Sequence, residues 1–447
     1  GLVDTLNPHP CAYGIFDDGD MREEFGIIKI KENICVCLDG KWAEDYKMLK
    51  NDLLKVQVVE LIYETYKKIG IEPHPLPELI SLCNKDKKVW DIYSKGMTVS
   101  VNQFEKETTS KKGVRYSPKN ISEISAFVAA IRPGFKSEYS HFESRGKFEY
   151  GVTSLDKILQ TEEFPYSYML YQENSMAVMG WSGIPMYQTY EIVKSIAKKR
   201  YEDVLKNKSL FIDGMKKRLL EVEKMSSKDA EDISKKTWQI IEDSAFYSFN
   251  ASHSYSVAGD SLYCAWLKTN HPIHFYETFI KMMEKDGDKE RMELAKQEAI
   301  KFFGINFPHP EFGQDNRNII AIPERNEITQ SLNIYKGFGD SIGESMYRLG
   351  TEFKDGDFLD MLIFAEENGM MSSKIETLIK LNYFSKFGKN KKLHNIFTEF
   401  RKGKSKYTSK LSEKSKTKRK EDLRVMFEGM KDEKFSDMEQ VANEISI

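Results

Sequence analysis

Nothing in these 447 residues points to a membrane. No apolar run approaches the ~18 residues a spanning helix needs, no secretory signal is visible, and no membrane partner is expected. Cysteine is scarce. Five are present, an odd count, and only Cys35 and Cys37 lie close together. A Cys-x-Cys pair alone makes a poor zinc site, and in a strand both side chains would point to one face, into a core. A reducing, cytoplasmic setting fits that usage. Neither sign of charge dominates, with 67 Lys+Arg against 69 Asp+Glu, so a nucleic-acid partner would have to be met by local patches. Walker-type and dinucleotide-binding loops are both missing, which removes the common glycine-rich phosphate cradles.

What is present is a globular composition, 40% hydrophobic and rich in aromatics, in a chain long enough for two to four domains. The most informative stretch is Phe249–Pro272. It opens on Asn250, Ser252, His253, Ser254 and Ser256, then places Ala258, Leu262, Ala265 and Trp266 at i, i+4, i+7 and i+8 before Pro272 stops it. That spacing predicts a helix packed on one face. Its start carries hydroxyls, an amide and an imidazole, which suits an anion, because free backbone N–H groups and the helix dipole both favour negative charge. A buried helix with an ordinary capped start is the plainer alternative.

Short strand-like runs occupy 11–16, 25–30 and 34–38, and helical spacing extends from Met48 to Ile69, with Leu49, Leu53, Val56, Tyr63 and Tyr66 on one side. Pro73, Pro75 and Pro77 mark a first boundary. Residues 89–131 read as mostly helical, with Lys111, Lys112 and Arg115 among them and Arg132 just before Pro133. A long helix is predicted over about 187–205, where Lys194 and Lys198 share a face flanked by Lys199 and Arg200. Such ammonium groups suit a phosphate chain, although a solvated basic face is the commoner meaning. His271 and His274 could bind a metal, but packing is favoured. Arg401–Arg424 is dominated by Lys/Arg and Ser/Thr and reads as a flexible basic linker that could brush duplex DNA.

Asn250-Ala251-Ser252-His253-Ser254, followed by Ala265-Trp266-Leu267-Lys268 and Pro272, resembles the fingers of the bacterial and phage C-family DNA polymerases, the polymerase III alpha-like group. Leu170-Tyr171-Gln172-Glu173 resembles the family's Tyr-Gln-Glu run, Val193–Lys199 its basic run, and Ala129–Gly134 the entry to the fingers. Gly1-Leu2-Val3, His9 and the strand to Phe16 look like a palm segment. Lys50-Asn51-Asp52-Leu53 is similar to a palm motif, with Asp39 thirteen residues before Asp52 as in the family. Departures exist: Val193 and Lys194 stand where the family has arginines, and Leu53 where it has Phe.

The resemblance implies a mainly α chain with a small α+β palm fragment in a multidomain architecture. Residues 1–72 would be the C-terminal part of the palm, 73–325 the fingers, 326–400 a helix-hairpin-helix and clamp-proximal domain, and 401–447 the basic linker and terminal helix. It implies template-directed DNA synthesis, with Asp52 a carboxylate of a two-Mg²⁺ site and Lys50 beside it. Lys194, Lys198, Lys199, Arg132, Asn250, Ser252 and His253 would bind the incoming dNTP, facing the same cavity as Asp52. Lys336, Gly337, Gly339 and Ser341 would grip primer-template DNA through the hairpin. The family's Pro-Asp-Ile-Asp-Ile-Asp-Phe strand is absent, and Asp17, Asp18 and Asp20 do not resemble it, so either a second polymerase chain is expected to supply the missing palm aspartates or these residues are a fragment of a longer chain that carries them. Val425-Met426-Phe427 lies near the family's sliding-clamp peptide. A non-catalytic DNA-binding or replisome-scaffold module is the alternative.

Overall fold

A computed structural model describes residues 11–15, 20–30, 32–46, 48–53, 56–132, 135–198, 201–245, 249–402 and 406–445. The chain divides into two units, Gly1–Tyr63 and Glu64–Ile447. It is mainly α-helical with small two-stranded sheets, as expected.

In the first unit, β1 (Ala12–Ile15) pairs antiparallel with the last strand, β4 (Leu49–Asp52), so that Ala12 faces Asp52 and Gly14 faces Lys50. Between them lie α1 (Met21–Glu24), the antiparallel pair β2 (Ile27–Ile30) and β3 (Asn33–Val36), and α2 (Gly40–Asp45). Two aspartates set the helix starts: Asp20 accepts from the Arg22 amide and Asp39 from the Trp42 amide, each at 2.8 Å. The helix predicted from Met48 begins only with α3 (Gln57–Ile69). Its supposed first turn is strand β4, whose backbone pairs with β1, and the Leu53 amide reaches the Cys11 carbonyl at 2.8 Å. A partner some 40 residues away outweighs local spacing. Of the five residues expected on one apolar side, Leu49, Leu53, Val56 and Tyr63 are exposed and Tyr66 is buried, so most of that side is not a core face. Nor do Cys35 and Cys37 enter a core: Cys35 is half-buried, and Cys37 lies past the end of β3 and is exposed.

The second unit opens with α4 (Leu76–Lys85), α5 (Lys87–Ser94), α6 (Glu107–Tyr116) and α7 (Ile121–Ala130). Helix α7 is mostly apolar and buried along its length except at Ser122, with Glu123 and Ser125 as buried polar groups, which makes it a central element. Beyond α8 (Tyr139–Glu143) and α9 (Thr153–Leu159), four helices pack together: α10 (Gln172–Trp181), α11 (Met186–Ala197), α12 (Tyr201–Val222) and α13 (Ser227–Ala245). Val178, Ile192, Phe211, Met215 and Trp238 fill their core. The single helix expected over 187–205 is therefore two, because α11 ends with Lys198 as its C-cap.

Helix α14 (Ala251–Asn270) packs against α4, α5 and α7, and against the next helix, α15 (Pro272–Asp286), which pairs with α16 (Lys289–Phe303). The predicted face is correct: Ala258, Leu262, Ala265 and Trp266 are all buried. His271 and His274 are packing residues. His271 sits 5.5 Å from the Trp266 ring, and His274 Nδ1 lies 3.5 Å from Glu277.

A short antiparallel pair, β5 (Ala321–Ile322) and β6 (Glu327–Ile328), precedes the C-terminal helices α17 (Asp340–Glu352), α18 (Phe358–Glu367), α19 (Ile375–Lys380), α20 (Asn390–Lys402), α21 (Glu413–Gly429) and α22 (Asp437–Ile445). Their core holds Leu349, Phe358, Leu362, Phe400, Leu423 and Phe427. From Glu413 onward, the flexible linker expected over 401–424 is instead helix α21. Leu423 and Phe427, four residues apart, anchor it, and Arg424 bonds both Asp357 and Asp360. Burial of Phe427 also removes it from any peptide offered to a clamp; Val425 and Met426 remain exposed.

Candidate nucleotide and nucleic-acid site

Three of the stretches singled out above converge in the second unit. Asn250 caps α14, accepting from the His253 amide at 3.1 Å, and the Ser252 hydroxyl donates to the same side-chain oxygen at 2.5 Å. The preceding residue, Phe249, splices into the start of α10. Its amide donates to the Leu170 carbonyl (3.3 Å), and its carbonyl accepts from the Gln172 amide (2.9 Å). Glu173 then accepts from the Ala251 amide at 2.9 Å. The third stretch is the end of α7, where the Arg132 guanidinium lies 3.7 Å from the centre of the Phe249 ring. His253 flanks the same ring at 5.1 Å.

A buried hydroxyl chain fixes the arrangement from behind. Ser125 of α7 bonds the Tyr171 hydroxyl at 2.8 Å and donates to Ser254 Oγ at 3.1 Å, while Ser254 Oγ donates to the Ser125 carbonyl at 2.9 Å. Burial pushes the Tyr171 phenol up to about 12, so it stays a neutral donor at any ordinary pH. Burial also lowers the Arg132 guanidinium from its ordinary value. It remains a cation all the same, and it pairs with no carboxylate among the described residues. Behind Arg132 a cleft of about 140 Å³ is lined by Phe135, Tyr150, Tyr168 and Asp243. That is smaller than the roughly 300–1,000 Å³ of ligand pockets, so it is a floor to the arginine rather than a nucleotide pocket.

The helix start itself is partly engaged from within. The amides of Ala251 and His253 are taken by Glu173 and Asn250, and Glu173 brings a carboxylate to the positive end of α14. An arriving anion would therefore meet Arg132 more directly than the α14 amides. The lysines of α11 are more loosely placed. Lys194 lies 3.8 Å from Glu191 and 5.8 Å from the Tyr190 ring, and Lys198 is exposed at the helix end. Lys199 and Arg200 fall outside the described residues, as do Gly1-Leu2-Val3, His9, Asp17 and Asp18. Of the cations flagged near the fingers entry, Lys111 pairs with Glu107 (2.6 Å), Arg115 with Glu143 (3.0 Å), and Lys112 sits over Tyr139 (4.3 Å).

In the first unit, Lys50 and Asp52 point to one face of β4, as residues two apart on a strand must. Lys50 Nζ donates to both oxygens of Asp52, at 2.9 and 2.8 Å. No group of three or more His, Cys, Asp or Glu able to hold a metal occurs among the described residues. These residues by themselves do not fit a two-Mg²⁺ site; Asp52 is at most one of its ligands.

At the hairpin, Gly337 adopts φ +75°, a conformation that favours glycine, and Gly339 caps α17 in an extended conformation. The element before the hairpin is one 3-10 turn, Leu332–Ile334, rather than an α-helix. Lys336 and Ser341 are exposed, while Asp340 in the first turn of α17 accepts from Asn333 at 2.7 Å.

Sequence reasoning did not find the roles of Phe249, Glu173, Ser125 or Lys268. Phe249 and Glu173 sat inside quoted motifs, but their partners are distant in sequence. Lys268 is wholly buried, donating to the Met97 and Val99 carbonyls (2.7 and 2.6 Å) and to Glu298, which also accepts from Tyr276 (2.7 Å). Burial lowers its ammonium despite the pull of Glu298.

Residues 56–219 match the bacterial DNA polymerase III alpha subunit finger domain. Over 78% of its length the chain is similar to DNA polymerase III alpha subunits. Identity is 22% with that of Ureaplasma parvum, covering 35% of it. It is 25% with that of Aquifex aeolicus and 27% with that of Campylobacter jejuni, covering 29% of each. The chain thus spans about a third of the length of these curated relatives. No helix among the described residues is long and apolar enough to cross a membrane.

Proposed function

We propose that this C-family polymerase-like chain takes part in template-directed DNA synthesis, in which a primer 3′-oxygen attacks the α-phosphate of a dNTP and pyrophosphate leaves. The observation that carries this reading is the convergence of Arg132, Tyr171–Glu173 and Phe249–Ser254 on one spot within a chain whose residues 56–219 match the finger domain. In this reading Arg132, held over Phe249, meets the triphosphate with a guanidinium that no described carboxylate occupies, and Lys194, Lys198 and Lys199 contribute further cations to the same ligand. Asn250, Ser252 and His253 hold the helix start that shapes this corner. Lys336, Gly337, Gly339 and Ser341 grip primer-template DNA through its backbone, without reading sequence.

Asp52 serves as one carboxylate of the family's Mg²⁺ site, and Lys50, donating to both of its oxygens, positions it. Two-metal chemistry needs further carboxylates, which a second polypeptide bearing the rest of the palm would bring. The test is primer extension by this chain with and without such a polypeptide, for wild type and Asp52→Ala. Loss of synthesis in Asp52→Ala with DNA binding retained is the expected result. Vigorous synthesis by these 447 residues alone overturns the need for external carboxylates.

One observation favours a second reading. Lys194 lies 3.8 Å from Glu191 and is partly neutralised by it, as suits a DNA-binding module without catalysis. Unchanged synthesis in Asp52→Ala would select it.

A further inference from the structure

Beneath the hairpin lies a cleft of about 790 Å³ whose lysines come from four separate places in the chain. Lys289 begins α16, Lys336 enters the hairpin, Lys389 precedes α20, and Lys434 precedes α22. All four are exposed. The carboxylates lining the same cleft are Glu311 and Asp437. Asp437 lies 3.6 Å from Lys434, and Glu311 accepts from Gln314 at 3.4 Å. Lys289, Lys336 and Lys389 make no ion pair with a described residue. Four ammonium groups against two carboxylates, only one of which pairs with a lysine, leave an excess of positive charge in the cleft that a bound anion offsets. The lining is also aromatic and amide-bearing, with Tyr335, Phe435 and Asn382.

We propose that this cleft binds a single strand of nucleic acid, its phosphates on the lysines and a base against the aromatic rings. The site does not depend on the polymerase reading of the fingers. Its volume suits one or two nucleotides, within the roughly 300–1,000 Å³ of ordinary ligand sites, and is too small for a duplex. A cleft lined by both lysines and aromatic rings has the groups that proteins use for unpaired strands, because every base has a face to stack. Lys336 belongs to both the hairpin and the cleft, so a strand leaving a duplex held at the hairpin would enter here directly.

The test uses the full chain and a Lys289→Gln/Lys389→Gln variant, both side chains being exposed, with unchanged thermal melting as the folding control. A fluorescent oligothymidylate of roughly eight nucleotides is the probe, followed by anisotropy across salt. The variant should bind it about tenfold more weakly, with a log–log salt slope shallower by about 1.4 for two lost phosphate contacts. A blunt hairpin duplex should bind both proteins within about twofold, and an abasic strand of the same length should bind wild type about tenfold more weakly than oligothymidylate. An equal loss on the duplex, no loss on the single strand, or equal binding of the abasic strand would each overturn the proposal.

Discussion

Helices α11 and α14 both carry lysines inside motifs that resemble one polymerase family, yet they use them in opposite ways. Lys268 of α14 is buried and saturated by two carbonyls and Glu298, so it fastens the loop at Met97–Val99 to the helix. Lys194 of α11 keeps 40% of its side chain exposed and leans on Glu191 and Tyr190. A lysine in a motif is therefore no guide to function until its surroundings are known. One braces the packing of α14 against the Met97–Val99 loop, and the other stays partly exposed.

Four measurements sharpen or break that contrast. The largest effect is expected from Lys268→Ala, which leaves Glu298 buried without its cation. Denaturant unfolding should show a loss of about 3–5 kcal/mol, the cost typical of breaking a buried pair, and a loss under ~1 kcal/mol would demote Lys268 to a bystander. Next, under the proposed function, Arg132→Ala should weaken dNTP binding by the chain together with a complementing polypeptide about tenfold, or ~1.4 kcal/mol. Lys194→Ala should weaken it less and leave stability within about 0.5 kcal/mol; the reverse order would move the nucleotide site onto α11. Third, Asn250→Ala removes the cap of α14 and should cost about 1 kcal/mol in thermal or chemical unfolding.

The smallest effect concerns pH. Burial, with His274 and His74 nearby, lowers His271 below its ordinary value of 6.5. The unfolded chain then binds the proton more readily than the folded one. The His271 contribution is complete above pH 6.5 and is lost as pH falls through the folded value. Unfolding midpoints of wild type and His271→Gln followed from pH 8 to pH 5 should diverge only below about 6.5. Parallel curves would show that His271 is not coupled to folding.

The apolar face of α14 was legible because its period is local: four buried residues recur at helical spacing on one element. The strand β4 was not, because Leu49 and Leu53 mimic a helical face while the deciding partner, β1, lies far off in sequence. Composition misled at 401–424 for a related reason. Its lysines and serines read as linker, yet Leu423 and Phe427 suffice to dock α21, and Asp357 and Asp360 answer Arg424 from another helix. At the candidate site the motif residues were found, but the contacts that give them meaning were not. Arg132 over Phe249 and Glu173 on the Ala251 amide join positions more than 75 residues apart, and no single-sequence period reports such pairs.

The splice at Phe249 has a mechanical side. Two backbone bonds and a carboxylate tie the first residues of α10 to those of α14, while α14 lies along α4, α5 and α7. Any tilt of one helix origin must drag the other, together with the guanidinium resting on the ring between them. Closure over a substrate, however it is driven, would move this corner as a single lever instead of three independent side chains.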